Sequence, residues 1–93
     1  MRAILTTVGQ DKTGIIAVVS SFLAEKDINI LDLSQTIMNG YFTMMMVVDV
    51  SDEADFSALG TELKELGKKL GVEINIRNEK MYAAMHELGG GLE

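Results

Sequence analysis

The chain of 93 residues is 47% hydrophobic and 24% charged, the balance of one folded domain rather than a disordered or fibrous segment. Its 14 acids against 8 Lys and Arg leave a net charge of -6, which repels nucleic acid and anionic membrane, and the lack of Cys removes disulfides, thiolate nucleophiles and Cys-based metal sites. No apolar stretch is long enough to span a bilayer, and Met1-Arg2 leads straight into a strand-like run without a signal-peptide pattern, so a cytoplasmic location is expected.

Arg2 to Val8 is β-compatible and is expected to close at Gly9, before the polar Gln10-Asp11-Lys12-Thr13-Gly14. Ile15, Val18, Val19, Phe22 and Leu23 then repeat at helical spacing, with Thr13 or Asp11 available as the N-cap. Ile28 to Met38 and Tyr41 to Val50 read as strands paired antiparallel through Asn39-Gly40, a strong hairpin signal. In the first of them the apolar parity flips between Ile30 and Leu31, which points to a bulge.

Ser51-Asp52-Glu53 is expected to begin a second helix, in which Phe56, Leu59, Leu63, Leu66 and Leu70 recur at steps of three and four before Lys68, Lys69 and Gly71 mark its end. Val72, Ile74 and Ile76 alternate with polar residues as a half-buried strand, and Asn78 can cap a final short helix carrying Met81, Met85 and Leu88. With right-handed crossovers this order gives an α+β, ferredoxin-like βαββαβ fold: a four-stranded antiparallel sheet with two helices on one face plus a short C-terminal helix. Residues 1–88 are expected to make the single domain and 89–93 a flexible tail, in which Leu92-Glu93 are compatible with either a native or an expression-vector origin. The open sheet face would carry Leu5, Met45 and Val47 beside Tyr41, an apolar patch that favours a homodimer or higher homo-oligomer unless the terminal helix covers it.

The segment from Gly9 to Ile15 is a Gly-punctuated strand-to-helix loop, which brings backbone N–H groups to a helix start and favours a carboxylate or phosphate; the plainer reading is a turn and a cap. A nucleotide P-loop is excluded, because Ile15-Ile16 stand where Lys and Ser/Thr are required. The acids Asp49, Asp52, Glu53 and Asp55 lack the glycine turn of a calcium loop and suit a helix N-terminus. His86 has no second imidazole, and Met44, Met45 and Met46 alternate faces, so no metal is expected. RNA-recognition modules share this element order, but Tyr41-Phe42 have no basic setting. With no nucleophile–base pair or cofactor motif, neither catalysis nor a cofactor is expected.

Asp11-Lys12-Thr13-Gly14-Ile15 before an apolar helix, followed by Asp27-Ile28-Asn29-Ile30, resembles the ACT domain, a small βαββαβ module that binds amino acids and similar ligands. The resemblance covers nearly the whole chain. Ser34-Gln35-Thr36, Tyr41-Phe42-Thr43-Met44 and Met81-Tyr82 are similar, more narrowly, to the small stand-alone ACT proteins of bacteria and archaea. In that family the ligand commonly lies between the first loop of one subunit and the start of the second strand of a neighbour, which implies Asp11, Lys12, Thr13, Gly14 and Ile15 together with Asn29 and Ile30 as ligand-binding residues. A zwitterion would set its carboxylate on the N–H groups of Gly14 and Ile15, and its ammonium near Asp11 or the Asn29 side-chain carbonyl. Thr13 stands where many relatives carry Pro, leaving the loop less pre-set. The implied function is a regulatory module binding a small molecule, an amino acid, as a homo-oligomer, with no nucleic-acid or membrane partner. The alternative is a structural or protein-interaction module whose loop is inert.

Overall fold

A computed structural model of the chain describes residues 1–10 and 13–81. The elements are β1 (Arg2–Gln10), α1 (Ile15–Glu25), β2 (Asn29–Met38), β3 (Tyr41–Asp49), α2 (Phe56–Leu70) and β4 (Val72–Asn78). The strands form one antiparallel sheet in the order β2-β3-β1-β4, and both helices pack on one face, the ferredoxin-like arrangement. Residues 79–81 are helical, and the Asn78 side-chain oxygen accepts the Lys80 N–H at 2.7 Å as the expected cap. Met85 and Leu88 of the expected final helix lie outside the described residues.

Alternate residues of three strands meet the helices. Ala3 and Leu5 of β1, Phe42, Met44, Met46 and Val48 of β3, and Val72 and Ile74 of β4 are buried with Ile15, Val19 and Leu23 of α1 and Leu59 and Leu63 of α2. Leu5 therefore does not belong to the open face: it is in register with Met46 and Ile76 and is wholly buried. Adjacent apolar residues at 3, 4 and 5 hide the phase of a two-residue period, which only pairing fixes. The open face presents Val8, Tyr41 and Met45 at 48%, 59% and 40% exposure, with Val47 half-buried.

Gly9 does not close β1; the strand continues to Gln10. A Cβ at Gly9 would lie 2.7 Å from Val72 Cγ1 and 3.1 Å from Val72 Cα, so the glycine serves the close approach of β4. The bulge falls where the parity flips: Ile30 pairs with Val48 and Asp32 with Val47, leaving Leu31 over. Asn39 and Gly40 both have positive φ, 53° and 79°, as the tight hairpin requires. The second helix begins later than Ser51, because the Asp55 carboxylate caps it by accepting the Ala58 N–H at 3.0 Å.

Candidate functional site

The first loop delivers the chain to α1 through Gly14, which occupies the N-cap in the left-handed region at φ 91° with no side-chain hydrogen bond. Thr13 is not the N-cap: it is exposed, and the position is held by Gly14. The first helical bond runs from the Val18 N–H to the Gly14 carbonyl at 3.0 Å. The N–H groups of Ile15, Ile16 and Ala17 precede it and have no acceptor among the described residues. No acid stands in the first turn, so no charge within the helix itself offsets the positive end of its dipole. Ile15 anchors this end, 3% exposed in the core, while Gly14 remains exposed. Asp11 and Lys12 lie outside the described residues.

Asn29 and Ile30 sit elsewhere. The α1 C-terminus closes with Asp27 at φ 58°, the Ile28 N–H bonded to the Leu23 carbonyl at 2.9 Å and the Asp27 N–H to that of Ala24 at 3.1 Å. This motif buries Ile28 and starts β2 with Asn29 exposed and Ile30 half-buried. Asn29 is in register with Asp49, whereas Gln10, the last residue before the loop, is in register with Tyr41. Eight residues of β3 separate those two positions, roughly 27 Å of strand. Within one copy the two halves of the expected site are therefore at opposite ends of the sheet.

The strand that carries Asn29 is an edge. Apart from Ile30, every residue of β2 is exposed, including Leu31, Leu33, Ile37 and Met38 at 47%, 38%, 57% and 67%. Such an edge offers unpaired backbone groups and apolar side chains together. Sequence reasoning placed the apolar patch on the open face and missed this one, although β2 has apolar residues at both parities and hence no solvent face. Val18 of α1 is also exposed, at 39%.

The acidic run has structural partners. Asp55 caps α2, and Asp49 and Asp52 hold the Met1 amine at 3.3 and 3.0 Å. Among the described residues no three His, Cys, Asp or Glu side chains gather as metal ligands, and no helix is long and apolar enough to cross a membrane.

An ACT domain family profile matches residues 2–77. A UPF0237 protein of Clostridium acetobutylicum is 55% identical, with 95% of this chain aligned to the whole of that one. The solved ACT domain protein from Streptococcus pneumoniae is 46% identical and superposes with a TM-score of 0.81 over 88% of this chain and 93% of its own. The regulatory subunit of aspartate kinase from Thermus thermophilus, in a ligand-free form, is 26% identical with a TM-score of 0.65, covering 84% of this chain and 51% of that one.

Proposed function

Because the chain belongs to the ACT domain family, whose members are ligand-binding regulatory modules, we propose that it binds an amino acid between two copies of itself and acts by that binding on a regulated process in the cytoplasm. The observation that carries this reading is the uncapped start of α1 at Gly14, combined with an Asn29 that lies at the far end of an exposed edge strand. Two copies paired antiparallel along β2 set the Asn29 of each beside the Met38 end of the other, the end at which the other's first loop lies. The amide hydrogens after Gly14 receive the carboxylate of the ligand, and the Asn29 side chain of the second copy receives its ammonium. Pairing also covers Leu33 and Ile37, so ligand and assembly stabilise one another.

A thermal-shift screen of the twenty amino acids at millimolar concentration tests the reading. At a ligand excess of about a hundredfold over Kd, binding adds about 2.7 kcal/mol, a readily measured rise in Tm. At least one amino acid is expected to give it, Asn29→Ala is expected to abolish it, and sedimentation is expected to show the dimer. No response to any amino acid would overturn the proposal.

A further inference from the structure

We infer that the groove between α2 and the edge strand β4 is a docking site for an extended acidic peptide, which adds to the sheet as a fifth strand. Two clefts of about 280 and 350 Å³ adjoin along β4 and share Lys64 and Asn75 in their walls. Their charged lining is Lys64, Lys68 and Arg77 against a single acid, Glu73. In a chain of net charge -6 this groove is locally cationic. Among the described residues Lys64 and Arg77 have no ion pair, and Lys68 reaches only Glu65, at 3.7 Å.

The backbone completes the case. β4 pairs only with β1, and none of its outward amide or carbonyl groups is bonded to another described segment. Lys68 lines the cleft beside Val72, and Arg77 the other, five residues along β4. That is roughly 17 Å of strand, too far for one small anion to bridge but within the span of an extended segment, which presents side chains on both faces of the sheet. A nucleic acid has the charge but no N–H and C=O ladder for β4.

Gly60 lines the same groove and is not required by packing. A Cβ there would lie 3.9 Å from Ile76 Cγ2, an ordinary contact, whereas one at Gly67 would lie 2.6 Å from the Val72 carbonyl oxygen. Glycine inside a helix is less stable than alanine, so a side chain at position 60 would add to helix stability and narrow the groove.

The test uses the full chain and fluorescence anisotropy at low salt, with labelled octapeptides of repeating Glu-Glu-Thr-Thr or Lys-Lys-Thr-Thr, which carry charge on both strand faces, and the Glu peptide N-methylated at every residue. The Glu peptide is expected to bind at least about tenfold more tightly than the other two, and Lys64→Glu, Arg77→Glu or Gly60→Leu to weaken it by about tenfold without lowering Tm. Amide exchange over residues 72–78 should slow in the complex. Equal affinity for the Glu and Lys peptides overturns the proposal, and so does tight binding of the N-methylated peptide or indifference to the two charge reversals. The wild-type comparison among peptides decides even if a variant fails to fold.

Discussion

Thr7 is wholly buried on the helix side of β1, in register with Met44 and Ile74, and its hydroxyl has no hydrogen-bond partner among the described residues. A buried hydroxyl left unpaired costs about 1–3 kcal/mol, whereas a methyl of the same shape carries no such penalty. Thr7→Val is therefore expected to raise the unfolding free energy by about 1 kcal/mol, read from urea denaturation at unchanged slope. A loss of stability would show that the hydroxyl is used. The same residue-scale logic governs Gly14: beyond its chain neighbours no heavy atom of the described residues lies within 4 Å of where its Cβ would stand, yet φ 91° strongly favours glycine, a conformational constraint.

At the scale of elements, the seam between α2 and β4 depends on Gly67, where an added Cβ would meet the Val72 carbonyl oxygen at 2.6 Å and the Ile74 amide nitrogen at 3.3 Å. Both are backbone atoms and cannot rotate away, so Gly67→Ala is expected to destabilise by about 1–3 kcal/mol in thermal or urea unfolding despite its better helix propensity. A stabilised variant would mean that the helix can lift from the strand at no cost. The existence and order of the elements were legible because their signatures are local: the leucine spacing of α2, Asn39-Gly40, the parity flip at Ile30 and Leu31, Gly71 after α2. The face of Leu5 and the role of Gly9 were not, since both depend on which strands flank β1. The candidate site was half legible. The loop announces itself in one segment, but the separation of Asn29 from it follows from the sheet register, and the groove draws its cations from two consecutive elements, α2 and β4, whose packing against each other brings them together.

The molecule as a whole is tied together at one end by its own amino terminus. The Met1 amine donates to the Val50 carbonyl at 2.7 Å and reaches Asp52 at 3.0 Å and Asp49 at 3.3 Å, linking the start of β1 to the end of β3 and the turn before α2. The hydrogen bond to Asp52 raises the pKa of the amine above its ordinary 8.0, with Asp49 adding to the effect and partial desolvation opposing it. A raised pKa means that the folded state holds the proton more tightly than the unfolded chain. The resulting stabilisation is complete below about pH 8, and is lost as the pH climbs through the folded-state value. The Tm of this chain is thus expected to fall between about pH 7 and pH 10, and to fall less in Asp52→Asn, where the first-ranked source of the shift is weakened. The two proteins differ at Asp52 alone, so the difference between the two profiles isolates its contact with the amine. Parallel profiles would show that the contact at Asp52 does not contribute to folding in solution.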